Sequence, residues 1–269
     1  MANSTSGLTV LDTATRQGVG EFNEDLAGNN DTCAWMFDGA TDTIGTFRPD
    51  PRTTGAYWIS RTCDEWLRRH DLTQRPAETI TELAAHVKAS LRDAGMPREA
   101  LPPACSAGIV RRSADEVAAA IVGDIFVYHD GRDDLLDYPA FGANERRAVR
   151  AQTSPQQAAE GIAERRRRYL AGSDGAWVLG DNPYVAAGAR TIAWPAVRGD
   201  IVLLATDGFA RAVTDYKIAA SWHELVELVR ERSASSVIDM IREHESTADT
   251  QAALFKKSDD VCVSLVQIT

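Results

Sequence analysis

The chain has 269 residues, of which 44% are hydrophobic and 25% are charged, and its formal net charge at neutral pH is -10. This composition is ordinary for a folded globular protein with a sizeable core. The negative charge argues against nucleic acid or an anionic membrane surface as the main partner, because both would repel the chain. An anionic substrate stays compatible with it, since a bound metal ion can reverse the field locally.

The sequence shows no targeting or membrane-spanning segment. Its first residues, MANSTSGLTVLD, lack a basic start and an apolar stretch. No run approaches the roughly 20 apolar residues that span a bilayer. The cysteines are far apart and form no C-x-x-C pair, which favours reduced thiols over a zinc site or a disulfide framework; they are Cys33, Cys63, Cys105 and Cys262. We expect a cytoplasmic monomer.

The first half of the chain predicts strands, then two helices, then strands again. Residues 8–18 predict a strand and a turn, and the apolar run 33–37 predicts a strand covered on both faces. Apolar residues at helical spacing predict helices over 53–70 and 76–95. Residues 104–113 and 116–131 alternate as long antiparallel strands do, and the second is interrupted at Gly123 and Asp124.

The second half begins with a predicted basic helix over 155–172, followed by a loop-like stretch over 173–196. Residues 199–208 predict a strand, 221–232 and 234–246 predict helices, and the apolar residues after Asp260 predict a last strand that inserts into a sheet. Strands and helices segregate along the chain. This order favours an α+β fold with antiparallel sheets and helix pairs on the outside.

Acidic residues lie at the ends of several predicted buried strands. A carboxylate at the mouth of such a strand is costly unless its charge is compensated. Divalent cations favour oxygen ligands and neutralise clustered negative charge. One Asp-Gly pair is usually only a turn, so it is the recurrence of the pattern that favours a metal site. The residues concerned are Asp25, Asp38, Asp124, Asp207, Asp259 and Asp260.

In their order, five motifs resemble those of the type-2C metal-dependent protein phosphatases: NED at 23–25, FDGA at 37–40, VGD at 122–124, LLATDG at 203–208 and DD at 259–260. They extend over nearly the whole chain. The resemblance implies an antiparallel β-sandwich flanked by pairs of α-helices, in four αββα layers. It also implies one phosphatase domain over 1–269, with a flap-like segment at approximately 140–195.

The resemblance further implies the ligands of two core Mn²⁺ or Mg²⁺ ions. Carried over position by position, they are Asp25 for one ion, Asp38 bridging both, the Gly39 carbonyl for the second, and Asp207 and Asp259. A hydroxide bridging the two ions would then attack phosphorus in line, without a covalent intermediate. The leaving alkoxide of phosphoserine or phosphothreonine would take a proton from a metal-bound water.

Three further positions follow from the same resemblance. Glu24 would hold a metal-bound water, and Asp124 matches an aspartate that helps to bind a third, weaker metal in many members. Asp260 stands where the family commonly has Asn, so Asp259 is taken as the ligand and Asp260 as its neighbour.

The chain departs from the family around the phosphate and the third metal. Three residues after Asp207-Gly208, where many members have a further Asp, stands Arg211. An arginine cannot ligate a cation but can bind phosphate bidentately. We therefore expect a weakened or absent third metal site and a substitute phosphate clamp; the alternative is a structural pairing of Arg211 with Asp124 or another acid.

Other departures leave alternatives open. Gly20 stands where some members place a phosphate-binding arginine, and nearby Arg16 is either its replacement or a solvated residue. Asp42 is either a turn or capping residue or an outer metal ligand. The basic run 164–172 is either a solvated helix face or a docking surface for an acidic partner or phosphopeptide.

Rival functions differ in chemistry or in substrate. A haloacid-dehalogenase mechanism needs a second aspartate two residues after the nucleophile, and Ala40 holds that place after Asp38. A catalytically silent binding module of the same fold is a second rival. A third keeps the phosphatase chemistry but acts on a small phosphorylated metabolite instead of a phosphorylated protein.

Overall fold

The computed structural model describes residues 7–139, 141, 155–247 and 258–269. Every pairing between the strands named below is antiparallel. One sheet contains, in spatial order, β2 (Leu26–Asn29), β3 (Cys33–Gly39), β4 (Cys105–Arg112), β5 (Glu116–Val122) and β8 (Arg190–Pro195). The other contains β1 (Leu8–Arg16), β10 (Val261–Ile268), β9 (Ile201–Ala205), β6 (Phe126–His129) and β7 (Asp134–Leu136).

Helices cover both sheets. They are α1 (Gly55–Arg69), α2 (Pro76–Asp93), α3 (Pro155–Leu170), α4 (Asp207–Thr214), α5 (Trp222–Arg232) and α6 (Ala234–Thr247). Helix α1 begins after Thr54, whose side chain accepts a hydrogen bond from the Tyr57 amide at 3.0 Å. Among the described residues, no helix has the length and apolar character needed to cross a bilayer.

The alternation of side chains along β3 shows how the layers stack. Trp35 and Phe37 pack with residues of α1 and α2, whereas Ala34 and Met36 point the other way, into a core shared with β9 and β10. Strand residues alternate between the two faces of a sheet, so the two sheets pack face to face with α1 and α2 outside.

The opposite outer layer consists of α4, α5 and α6. Phe209, Leu225 and Ile238 from these three helices pack against Leu203 of β9. The layers therefore run helix, sheet, sheet, helix, and the predicted α+β fold with αββα architecture is confirmed. The last strand does insert into a sheet, since β10 lies between β1 and β9.

Two strand predictions were wrong. Residues 116–131 do not form one interrupted strand, because β5 and β6 belong to different sheets and the chain crosses between them at Gly123 and Asp124. Gly123 has a φ of +78°, and a Cβ there would lie 2.1 Å from Ser106 Oγ. The stretch 173–196 is not all loop, because Arg190–Pro195 pairs with β5.

Part of the flap-like segment predicted at about 140–195 lies outside the described residues, namely 140 and 142–154. The predicted basic helix is present as α3. The four cysteines are all free and buried, as expected for reduced thiols.

Candidate active site

Strand ends from both sheets meet at one cavity of about 130 Å³. Asp38 ends β3 beside Ser106 of β4, and Asp124 follows β5. Asp207 follows β9 and Asp259 precedes β10. Because antiparallel neighbours begin and end at the same edge of a sheet, these ends come together. All five of these side chains line the cavity.

Asp25 and Asp38 are the carboxylates most affected by this crowding. Asp25 is 2% exposed. Its pKa is raised well above the usual range by burial first and then by Asp260, with smaller contributions from Asp259 and Asp207. The pKa of Asp38 is raised likewise, by burial and then by Asp25 and Asp207. Burial and the mutual repulsion of these negative charges thus make the ionised forms of both carboxyl groups unfavourable.

Gly39 allows the two loops of the site to approach closely. A Cβ at this position would lie 2.7 Å from the Cβ of Glu24 and 2.8 Å from its carbonyl oxygen. Glu24 is buried, and its Oε2 accepts a hydrogen bond from Thr41 Oγ1 at 3.2 Å. Only glycine fits here without moving the backbone that carries Glu24 and Asp25.

Asp260 acts on the backbone of the site. Its Oδ1 accepts a hydrogen bond from the Gly18 amide at 2.7 Å, and its Oδ2 accepts one from the Glu24 amide at 2.7 Å. It thereby ties the start of β10 to the loop that carries Asp25. Asp124 is held in a similar way, since Ser106 Oγ lies 2.5 Å from its Oδ1. Ser106 could not be identified from the sequence as a partner of Asp124.

Arg211 is buried among the carboxylates, with 8% of its surface exposed. Its Nη2 lies 3.1 Å from Asp259 Oδ2 and 3.7 Å from Asp207 Oδ2. Burial alone would lower the pKa of Arg211, but the two carboxylates outweigh it and raise the pKa above its usual value. Its Nη1 is buried and has no hydrogen-bond partner within the described part of the chain.

The structure does not bring Arg16 into this group. Its Nη1 lies 2.5 Å from Asp239 Oδ1 on α6, and it does not line the cavity. The expectation that Arg16 replaces the missing phosphate-binding arginine is therefore corrected, because an acidic partner elsewhere holds it.

Asp42 caps α1, accepting hydrogen bonds from the amides of Gly55 and Ala56 at 3.0 and 3.2 Å.

Helix α3 covers the cavity with one face. Arg166 donates to the carbonyl of Ala40 at 3.0 Å, and Ile162, Arg165 and Tyr169 also line the cavity. Positions three, four and seven residues apart share a helix face. The spacing of residues 162, 165, 166 and 169 follows this rule. It was the sequence signal that could have identified them as one face of α3 directed at the motif at 37–40. The basic run thus divides between the cavity and the exposed surface.

The donor set of this cavity fits divalent cations. The Oδ2 atom of Asp25 is buried and has no hydrogen-bond partner among the described residues. Carboxylate and carbonyl oxygens are the ligands that Mn²⁺ and Mg²⁺ prefer. Within the described residues no three His, Cys, Asp or Glu side chains are already gathered closely enough to hold an ion. Two of the carboxylates, those of Asp207 and Asp259, instead face Arg211.

No model of a known protein family and no curated protein matches the sequence. Solved structures do match, over nearly the whole chain. The serine/threonine phosphatase PstP/Ppp of Mycobacterium tuberculosis superposes with a TM-score of 0.60 at 12% identity, covering 97% of this chain and 99% of that chain. The catalytic domain of a serine/threonine protein phosphatase PstP, in complex with two manganese ions, superposes with a TM-score of 0.58 at 13% identity over 98% of this chain and 100% of that chain.

Two further phosphatase structures give the same result. PppA of Pseudomonas aeruginosa has a TM-score of 0.60 at 12% identity, covering 98% of this chain and 99% of that chain. The serine/threonine phosphatase Stp1 of Staphylococcus aureus has a TM-score of 0.59 at 14% identity, covering 98% and 96%. At such low identity the shared property is the fold. The chain therefore has the fold of the bacterial type-2C serine/threonine phosphatases, as the order of its motifs predicted.

Proposed function

We propose that the chain is a metal-dependent phosphomonoester hydrolase that dephosphorylates phosphoserine or phosphothreonine in proteins, as a single phosphatase domain. One observation carries the proposal. Within a phosphatase fold, aspartates from both sheets converge on one cavity, and burial and mutual repulsion raise the pKa values of Asp38, which lines the cavity, and of the neighbouring Asp25. Perturbed carboxylates in a cleft are typical of functional sites.

The residues that would hold two Mn²⁺ or Mg²⁺ ions are those of the resemblance: Asp25, Asp38, the Gly39 carbonyl, Asp207 and Asp259. Such ions, when bound, lower the pKa of coordinated water and polarise phosphoryl oxygens. Asp124 would contribute to a third ion, which Arg211 disfavours by its charge. Glu24, buried beside Gly39, would accept a hydrogen bond from a water at the site.

Arg211 would bind the substrate phosphate. Its Nη2 is held by Asp259, and its Nη1 has no partner within the described residues although the side chain lines the cavity. A guanidinium donates to phosphate oxygens in a fixed, planar geometry. Arg165 lines the same cavity and adds a second positive charge near the phosphate.

The proposal is tested by hydrolysis of p-nitrophenyl phosphate over a Mn²⁺ titration, with Asp38→Ala as the variant and Arg16→Ala as a control outside the cavity. We expect turnover that requires Mn²⁺ and that Asp38→Ala abolishes. If saturating Mn²⁺ gives no turnover and Asp38→Ala changes nothing, the chain is a silent binding module of this fold.

A small phosphorylated metabolite is the second candidate substrate. The departures around the phosphate favour it, because Gly20 stands where some members of the family have a phosphate-binding arginine and Arg16 pairs outside the cavity. Rates on phosphopeptides should be compared with rates on a panel of sugar and nucleotide phosphates. If kcat/KM is about tenfold higher or more for a compound of this panel than for the phosphopeptides, the substrate is a metabolite instead of a phosphorylated protein.

A further inference from the structure

Behind the cavity, five residues form a closed ring of polar contacts. Arg211 Nη2 lies 3.1 Å from Asp259 Oδ2. Arg242 Nη2 donates to the Asp259 carbonyl at 2.7 Å, and its Nη1 lies 2.8 Å from Glu245 Oε2. The Tyr216 hydroxyl donates to Glu245 Oε1 at 3.2 Å, and the Tyr216 phenol also interacts electrostatically with the guanidinium of Arg211.

The ring is buried. Tyr216 is 8% exposed and Glu245 only 3%. The side chain of Arg242 is 18% exposed, and its guanidinium also donates to the carbonyls of Arg16 and Gln17. Buried polar groups are costly when unpaired, but a network whose members are mutually satisfied makes its part of the structure rigid.

The protonation state of Tyr216 determines how its hydroxyl interacts with its two neighbours in the ring. Burial raises the pKa of Tyr216, and Glu245 raises it further, although Arg211 opposes this. The phenol is therefore protonated at neutral pH. Its hydrogen goes to Glu245, and the partial negative charge of its oxygen attracts the guanidinium of Arg211.

The contact with Asp259 and the interaction with Tyr216 thus both restrain the guanidinium. The aromatic ring of Tyr216 is fixed in turn by stacking on His244, with centroids 4.5 Å apart. One donor of Arg211 remains: Nη1 is buried, lacks a partner within the described residues, and belongs to a side chain that lines the cavity.

We propose that this ring holds Arg211 as a preformed receptor for an oxygen of a phosphomonoester, and that Tyr216 and Glu245 are positioning residues acting through Arg211. This rests on the proposed function, whose phosphate-binding residue it supports. A free arginine side chain would lose rotamer freedom on binding its ligand, and a side chain already fixed in the folded protein loses less. Neither Tyr216 nor Glu245 lines the cavity, so both act without touching the substrate.

The test compares Tyr216→Phe with the matched control Tyr128→Phe. Each change removes the hydroxyl of a buried phenol that donates to a carboxylate, and for Tyr128 this is Asp133 at 2.7 Å. Tyr128 lies outside the ring and the cavity. Inorganic phosphate binding is measured by calorimetry with and without Mn²⁺. Mn²⁺ binding, thermal unfolding, and KM and kcat for p-nitrophenyl phosphate are measured on the same proteins.

We expect Tyr216→Phe to weaken phosphate binding and raise KM about threefold to tenfold, the range of one lost hydrogen bond. Its kcat and Mn²⁺ affinity should stay near those of the wild type, and Tyr128→Phe should change none of these values. Glu245→Gln, which keeps the shape but removes the charge, should shift KM in the same direction as Tyr216→Phe.

Equal phosphate affinity in the two tyrosine variants would overturn the proposal, and so would a wild type that binds no phosphate. A loss of Mn²⁺ affinity in Tyr216→Phe as large as its loss of phosphate affinity would also overturn it, because the hydroxyl would then act through Asp259. Failure of the proposed function looks different: the wild type would bind phosphate and hydrolyse nothing, and the phosphate comparison would still decide the role of the ring.

Discussion

The Nη2 atom of Arg211 lies 3.1 Å from Oδ2 of Asp259, so a positive side chain is paired with a residue that the motif order assigns to metal binding. The same atom lies 3.7 Å from Oδ2 of Asp207. A cation bound by these carboxylates must share them with the guanidinium. Arg211 is thus expected to affect both the metals and the phosphate.

Replacing Arg211 by alanine separates these two effects. We expect Arg211→Ala to raise KM about tenfold or more, because a charge-assisted hydrogen bond to phosphate is lost. The same change should tighten Mn²⁺ binding, since the competing positive charge is removed. Steady-state kinetics and calorimetric Mn²⁺ titration measure the two quantities. Arg16→Ala, an arginine paired outside the cavity, is the control, and identical behaviour of the two variants would assign Arg211 a structural role only.

Arg211→Asp should add an ion to the site. Asp124, Asp207 and the new carboxylate would then face the cavity without a guanidinium between them. Oxygen ligands of this kind bind hard divalent cations. We expect the number of Mn²⁺ ions bound per chain, measured by equilibrium dialysis and elemental analysis, to exceed that of the wild type. An unchanged stoichiometry would contradict the idea that Arg211 weakens a third site.

Asp38→Asn should stabilise the metal-free protein and abolish its metal response. Burial and the neighbouring Asp25 and Asp207 make the charge of Asp38 unfavourable, and the amide removes that charge at nearly the same volume. We expect the melting temperature in a chelator to rise by a few degrees, whereas Mn²⁺ should raise the melting temperature of the wild type only. A melting temperature below that of the wild type in chelator would show that Asp38 is compensated by contacts of its own.

Arg166→Ala should loosen the cover that α3 places over the cavity, because Arg166 donates to the carbonyls of Ala40 and Thr41. The neighbouring Arg167→Ala is a matched control, since Arg167 is exposed and pairs with Glu164 at 3.4 Å. We expect Arg166→Ala to raise KM about threefold to tenfold and to speed limited proteolysis near α3. Equal KM values and equal cleavage in the two variants would show that the contacts of Arg166 do not hold α3 over the cavity.

Much of the architecture could be predicted because its signals are local. The apolar run before Asp38 and the helical spacing in α1 and α2 each depend on neighbours in sequence. The crossing between sheets at Gly123 could not be predicted, because two apolar runs on either side of a turn do not reveal which sheet each joins. Strand β8 was missed because it lies at a sheet edge and all but one of its residues are exposed or only partly buried.

The same difference between local and long-range signals applies to the residues of the site. The aspartates could be located because strand ends and their order are written in the sequence. The pairing of Arg211 with Asp259 could not be predicted, because Asp259 lies 48 residues away in the chain. Tyr216 and Glu245, 29 residues apart, meet only when α6 packs on its sheet. Sequence spacing shows which residues share a helix face but not which helix will lie opposite.

The position of β10 sets the order in which the site can assemble. This strand lies between β1 and β9, and Asp260 at its start holds the backbone of Gly18 and Glu24. Until residues 258–269 have folded, the sheet lacks the strand that joins β1 to β9, and the site lacks Asp259. The full set of cavity carboxylates therefore comes together only once this strand has paired with both of its neighbours.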